Sequence, residues 1–440
     1  MTSSTDGLDC NNVEKAVIAG LCADSMAPDE RSDEQSMDEL ESLLRTAGGV
    51  CAGSALQRRS SPDPRTFIGD GKVKELKSLI DAEECTLAVF DNELSPSQTR
   101  ALGEELGVRV IDRSTLILDI FASRAQSREG RLQVELAQYK YLLPRLTGMW
   151  SHLVRQTGSS APIGTRGPGE TQLETDRRHI RRKIAKLEEE LRDVRRVRSS
   201  QRRLREKNAL PVVALVGYTN SGKSTLMGAL TSADIQANDR LFDTLDTTTR
   251  RMRVNDRVEA LLSDTVGFIH KLPHHLIDAF GATLEELKFA DLLIHVIDAS
   301  NPERERQTRV VNDLITRLGA DSKPRVEAFN KCDLTGRDAA IPRGEDIVEI
   351  SAKTGAGVDK LLARIGELLS GADVRALLHL PYSKGGLVDA LTREGGVTRT
   401  EYRDGYIEIE AVLRPDVYGR VRQYAQPPAD VPPDDGAREG

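Results

Sequence analysis

The chain has 440 residues and a net charge of −7, which gives room for about three domains. No apolar stretch approaches the roughly 20 residues that span a bilayer, and the acidic start, with Asp6 and Asp9, lacks a signal-peptide pattern, so a cytoplasmic protein without stable membrane insertion is expected. Five scattered cysteines (Cys10, Cys22, Cys51, Cys85 and Cys332), with no C-x-x-C spacing, exclude an obvious disulfide framework or zinc site.

The negative average conceals a segregated distribution. Residues 1–43 hold eleven acidic and two basic side chains, which predicts a disordered acidic arm over 1–38. A small α/β domain is expected over 39–130, with strands at 86–90 and 108–111 and helices at 72–80 and 95–106. Within it, Phe67-Ile-Gly-Asp-Gly-Lys72 reads as a glycine-bearing turn where Gly69 and Gly71 could cradle phosphate, although a purely structural turn is the favoured reading.

Residues 131–208 carry a different beat. Leu132, Leu136, Tyr139, Leu143, Leu146, Trp150 and Leu153 alternate steps of four and three, and Ile180, Ile184, Leu187, Leu191 and Val194 resume the pattern beyond a glycine- and proline-rich break. Two helices packed antiparallel would cover both stripes, so a helical hairpin is predicted. Residues 177–207 hold fourteen Arg and Lys against five Asp and Glu, a candidate face for a polyanion. Arg155 and Arg166 in the loop 155–170, with Arg177, Arg178, Arg181 and Arg182 behind it, are the candidate RNA contacts; a spacer with solvated charges is the plainer alternative.

The densest motifs fall in 209–371. An apolar run at 212–216 leads into Gly217, Tyr218, Thr219, Asn220, Ser221, Gly222, Lys223 and Ser224, a complete G-x-x-x-x-G-K-S loop ahead of a helix-like stretch. Its amides and the helix's positive end suit phosphate, Lys223 the β and γ phosphates, and Ser224 a Mg²⁺ ion. Asp264, Thr265, Val266 and Gly267 follow another strand-like run; this D-x-x-G pattern offers a water-mediated metal ligand and an N–H for the γ phosphate. Asn330, Lys331, Cys332 and Asp333, then Ser351, Ala352 and Lys353, emerge from two further apolar runs. Ligands of an open parallel sheet gather outside the strands' carboxyl ends, so these loops can meet. The Asp333 carboxylate accepts from the two donors on the guanine edge, and guanine is the expected base. Phe242, Asp243, Thr244, Leu245 and Asp246 supply the closing loop; Thr244 is the preferred second Mg²⁺ ligand, with Thr247, Thr248 and Thr249 as competitors.

Three strings resemble the HflX family of ribosome-associated GTPases: residues 241–250, residues 264–269, and Gly164-Thr-Arg-Gly-Pro-Gly-Glu-Thr-Gln-Leu-Glu-Thr-Asp-Arg-Arg178. The resemblance covers about residues 40–425. It implies a GTPase acting on the large ribosomal subunit and its rRNA, a hairpin loop reaching toward the peptidyl transferase centre, subunit splitting, and an N-terminal domain for which adenine-nucleotide binding has been considered. Thr247 departs from the family pattern, where proline is common. After the G domain, a small α+β domain is expected over 372–426, with strands at 377–380, 397–402 and 406–413 and a helix at 387–393, then a disordered tail at 427–440.

The expected fold class is therefore α/β: a P-loop GTPase domain, an N-terminal α/β domain, an antiparallel helical hairpin and a C-terminal α+β domain, acting as a monomer. The expected reaction is attack of water on Mg²⁺-bound GTP, giving GDP and phosphate, with Lys223, Thr244 and Gly267 in the catalytic roles. Phe268 stands where many related GTPases carry a water-orienting glutamine, which predicts slow hydrolysis without a partner, here the ribosome. His270 is a rival internal base or else a solvent-facing loop residue. A different class stays open: a nucleotide-switched RNA- or ribosome-binding module whose turnover is incidental.

Overall fold

The computed structural model describes residues 14–156, 168–207, 210–231, 241–242, 248–255, 258–272, 276, 286–335, 341–370, 374–393, 396–413 and 415–426. The fold begins with β1 (Lys15–Ala23), a run of small and branched apolar residues in which Val17, Ile18, Ala19 and Leu21 are all within 1% of full burial. It lies inside a four-stranded sheet of order β2-β1-β3-β4, with β2 (Val50–Arg59), β3 (Leu87–Phe90) and β4 (Arg109–Asp112) all paired in parallel. Helix α1 (Glu34–Thr46) opens with a capping box: Asp33 Oδ1 accepts the Ser36 N–H at 2.7 Å while Ser36 Oγ accepts the Asp33 N–H at 2.9 Å.

These two elements correct the expected acidic arm. Residues 14–38 are ordered, because the acids are distributed around a buried strand and along the exposed face and cap of α1. A charge count averaged over forty residues hides an eight-residue apolar run, Ala16 to Ala23. Residues 1–13 and 427–440 lie outside the described residues. Helices α2 (Asp70–Glu83), α3 (Pro96–Leu106) and α4 (Arg113–Arg124) complete the N-terminal unit. The glycine turn leads directly into α2, where Gly69 N–H donates to Gln57 Oε1 at 2.9 Å, a structural use of that turn.

Helices α5 (Arg128–Gln156) and α6 (Pro168–Lys207) form the hairpin. Leu132 and Leu136 of α5 bury against Leu187 and Leu191 of α6, with Tyr139, Ile184 and Val194 alongside, the pairing of low with high numbers that an antiparallel pair requires. Lys140–Glu188, at 2.8 Å, and the Lys183–Tyr139 hydrogen bond, at 2.7 Å, flank the seam. The helices extend further than expected: Arg155 sits on α5 and Glu170 on α6, so the loop shrinks to 157–167, which lies outside the described residues and includes Arg166.

The central sheet has order β10-β9-β8-β5-β7-β6, parallel except for β6–β7. Its strands are β5 (Val212–Gly217), β6 (Thr249–Arg253), β7 (Glu259–Asp264), β8 (Leu292–Asp298), β9 (Arg325–Asn330) and β10 (Ile347–Glu349). Helix α7 (Lys223–Thr231) follows β5, so the β5–α7 turn, the end of β7, the end of β9 and the end of β10 share the carboxyl edge. The chain ends in an antiparallel sheet of order β11-β13-β12, formed by β11 (Val374–Pro381), β12 (Val397–Arg403) and β13 (Tyr406–Leu413) and packed under helices Gly386–Arg393 and Pro415–Val421. This is the α/β architecture expected. The N-terminal unit and the central domain share one apolar core, in which Phe121 of α4 meets Phe242 edge-on with ring centroids 4.7 Å apart.

Candidate functional site

The loop after β5 is built to bring backbone close to other backbone. A Cβ at Gly222, where φ is +93°, would lie 2.2 Å from Asn330 Nδ2, so this position admits only hydrogen. That closeness lets Asn330 act as a tie: its Nδ2 donates to the Ser221 carbonyl at 2.8 Å, and its Oδ1 accepts the Ala352 N–H at 2.9 Å. One side chain, 2% exposed, thus joins three separate loops. The Ser351 hydroxyl donates to Asp333 Oδ1 at 2.7 Å, fixing that carboxylate. Lys331, in a left-handed conformation, reaches Asp298 Oδ2 at 2.7 Å. Asp298 ends β8 and was missed by motif reading; its signal was an acid closing an apolar run at the carboxyl edge. Cys332 donates to the Phe329 carbonyl at 3.1 Å, within the turn.

On the phosphate side, Lys223 is buried, and its Nζ donates to the carbonyls of Gly217 at 3.1 Å and Tyr218 at 2.9 Å. Burial pushes its pKa down to about 8, with the Asp264 carboxylate opposing the shift. An ammonium held in so dry a place has much to gain from an anion. The Ser221 and Thr219 hydroxyls are buried and find no hydrogen-bond partner among the described residues, the state expected of groups meant for a ligand. Ser224 Oγ donates to Asp264 Oδ2 at 3.1 Å, which puts two hard oxygen donors side by side at the mouth of the loop, a donor set that fits Mg²⁺. Thr265 turns inward, its hydroxyl donating to the Leu215 carbonyl at 2.7 Å, and Val266 is core. A Cβ at Gly267 would come within 2.8 Å of the Thr219 methyl and 3.1 Å of Lys223 Nζ, so Gly267 is pressed onto the phosphate loop itself.

Other assignments change. Phe242, read as part of a nucleotide-binding loop, is 2% exposed, with its ring in the core beside Phe121 rather than at the phosphate loop. Asp243, Thr244, Leu245, Asp246 and the competing Thr247 lie outside the described residues. Phe268 is 2% exposed and can orient no water. His270 is half-buried rather than solvent-facing; burial, then Arg306, Lys271 and Arg113, push its pKa down to about 4, a poor proton acceptor. Along α6, Arg177 is half-buried while Arg178, Arg181 and Arg182 are exposed on successive turns. A cavity of about 370 Å³ runs beside the phosphate loop, between Tyr218, Thr219 and Asn220 on one wall and Gln35 and Glu39 of α1 on the other. The α1 wall of this seam carried no motif, and sequence reading passed over it.

Sequence comparison converges with this geometry. Family profiles match four consecutive stretches, described as GTP-binding GTPase N-terminal (residues 34–122), GTP-binding GTPase Middle Region (124–205), 50S ribosome-binding GTPase (212–331) and HflX C-terminal domain (339–417). A protein named GTPase HflX from Caldanaerobacter subterraneus is 43% identical over 413 residues, 93% of this chain and 94% of that relative. Another of that name from Escherichia coli K12 is 44% identical over 360 residues, 81% and 84% respectively. Among solved structures, a GTP-binding protein from Sulfolobus solfataricus in complex with GDP is 24% identical, covering 81% of this chain and 98% of that one at a TM-score of 0.42.

Proposed function

Because this chain belongs to the HflX family of GTPases, we propose that it binds the large ribosomal subunit in its GTP form and uses the nucleotide cycle to remodel or split ribosomes in the cytoplasm. Hydrolysis of GTP is the family activity. The observation that carries the site assignment is the Asn330 tie, which holds the loops of Ser221, Asp333 and Ala352 around one space at the sheet edge.

In this reading the amides of residues 219–224 and Lys223 hold the phosphates, Asp333 takes the guanine edge, and Lys331, steadied by Asp298, lies along the base. Ser224 and Thr244 hold Mg²⁺, with Asp264 behind Ser224. Bound there, the ion would supply neutralisation of charge growing on the phosphate oxygens. The protein's contribution is positioning: Lys223 and the Gly267 N–H aim at the γ phosphate. With Phe268 buried and His270 a weak base, nothing in this stretch orients the attacking water, and a slow basal rate raised by the ribosome is expected. The large-subunit assignment is supported by the 50S ribosome-binding description of the matched profile and by the exposed cations of α6.

Sedimentation of ribosomes with GTP, GDP and a slowly hydrolysed analogue tests this. Splitting should convert whole ribosomes to subunits only in the triphosphate arms; triphosphate-dependent binding that leaves ribosomes whole would favour the nucleotide-switched module instead, and equal binding of GTP and GDP forms would overturn both. At the base site, Asp333→Asn should cut the preference for GTP over ATP by about 10- to 100-fold, the worth of roughly 1.5–3 kcal/mol for a hydrogen bond to a charged group. Competition binding reads it, and unchanged discrimination would reassign the base contact.

A further inference from the structure

The base end of the site leans on a carboxylate that belongs to no motif. Strands β8 and β9 run in parallel register with Asp298 opposite Asn330, and the Ala299 N–H donates to the Asn330 carbonyl at 2.8 Å, so the two strand ends are locked together. Lys331 follows directly, with a left-handed backbone at φ +64°, and the Leu334 N–H closes the turn on the Lys331 carbonyl at 2.9 Å. From that turn Lys331 Nζ reaches Asp298 Oδ2 at 2.7 Å. The other carboxylate oxygen is also taken: Asp298 Oδ1 accepts the Ser300 hydroxyl at 2.6 Å and the Ser300 N–H at 3.0 Å. Asp298 cannot swing away from Lys331 without giving up both of those bonds.

An ion pair on an open surface contributes little, because water screens it and two long side chains must be held still. This pair differs on both counts. The side chains of Asp298 and Lys331 are 12% and 24% exposed, and the acid is short and already fixed by Ser300. The lysine is the flexible member, and a four-carbon stem that lies along a base has to give up its rotational freedom. Here that loss is taken in the fold, before the nucleotide arrives, and a preorganised contact binds more tightly than one assembled on binding. Asp298 also lines the cavity of about 370 Å³ beside Thr219 and Asn220 of the phosphate loop. Without Lys331 its charge would face incoming phosphates; with Lys331 it is neutralised.

We infer that Asp298 and Ser300 are positioning residues for nucleotide affinity: Ser300 aims the Asp298 carboxylate, and that carboxylate presets Lys331 along the base. The inference rests on the reading of residues 330–333 as the base site, and it assigns two residues outside that motif to its performance. Because the relay acts at the base end, its effect is the same for a mono-, di- or triphosphate. Selection of guanine against adenine stays with Asp333, since a lysine stem lies equally well along either purine.

In the full-length protein, Asp298→Asn keeps the shape and an oxygen for Ser300 but removes the charge that holds Lys331. Competition against a fluorescent GDP analogue should show GMP, GDP and a non-hydrolysable GTP analogue weakened alike, by about 5- to 10-fold, with the preference for guanine over adenine unchanged. Ser300→Ala should weaken all three by about 2- to 3-fold, while Ser300→Thr, which keeps a hydroxyl, should bind like the wild type. A thermal melt confirms that each variant is folded, and the Ser300 pair decides the matter should Asp298→Asn not fold. The sharpest readout is the cycle with Lys331→Met: in that background Asp298→Asn should cost nothing further, because the residue it acts through is gone. Wild-type affinity in folded Asp298→Asn or in Ser300→Ala, a loss that grows with the number of phosphates, or the same further loss in the Lys331→Met background would each overturn the inference and leave the base site standing. Wild-type affinity in Lys331→Met would remove the base reading itself, and the inference with it.

Discussion

Replacing Lys223 by alanine should abolish measurable turnover and weaken GTP binding by about 100-fold or more, while the protein stays folded. The ammonium is asked to make charge-assisted bonds to two phosphates, each worth roughly 1.5–3 kcal/mol, or about 3–6 kcal/mol together in the transition state. Stability should move little, because two terms oppose. With its pKa held near 8 by burial, a protonated Lys223 strains the nucleotide-free fold by about 3 kcal/mol at neutral pH, and its removal relieves that. Against this stand the lost bonds to the Gly217 and Tyr218 carbonyls and a cavity, a cost of about 2–5 kcal/mol for truncating a buried side chain. Calorimetric titration with GTP and GDP, set beside a thermal melt, separates the effects. Full GTP affinity in a well-folded variant would remove Lys223 from the site.

The parts of the molecule that were readable in the sequence are those whose information is local. The hairpin seam repeats every three or four residues, so Leu132, Leu136, Leu187 and Leu191 disclosed their partnership through period alone. The G-x-x-x-x-G-K-S loop and the N-K-C-D turn are likewise short strings at strand ends. What escaped is information spread across the chain. Arg113 meets Asp91 across 22 positions, but Tyr218 meets Glu39 across 179 and Lys271 meets Asp91 across 180. No spacing rule reaches so far. Each of the acids and cations among them resembles an ordinary surface charge until the fold removes its water. Phe242 was misread for the related reason that it lies within a switch string, while its side chain answers to Phe121 in another domain. Strand β1 was hidden by its neighbours: its alanines, glycine and cysteine have weak strand preference, and the acids on either side dominated the composition.

Reversing three charges on α6, with Arg178→Glu, Arg181→Glu and Arg182→Glu together, should abolish association with the large subunit and leave GTP binding untouched. These positions are related by i, i+3 and i+4, so they project from one face of α6, opposite the Ile180 and Ile184 side that turns toward α5. All three are exposed, so the fold has little stake in them, whereas half-buried Arg177 is best left in place. They lie about 15–20 Å along the helix from its loop end, at 1.5 Å per residue, where a prong entering RNA would still be flanked by phosphates. If each arginine neutralises one phosphate, binding affinity should lose up to about three units of its log–log dependence on salt, and replacing attraction by repulsion should weaken binding by well over 100-fold. The salt slope is the decisive readout. A spacer helix with solvated charges would show the wild-type slope and affinity, whereas RNA contact requires both to fall while calorimetry with GTP is unchanged.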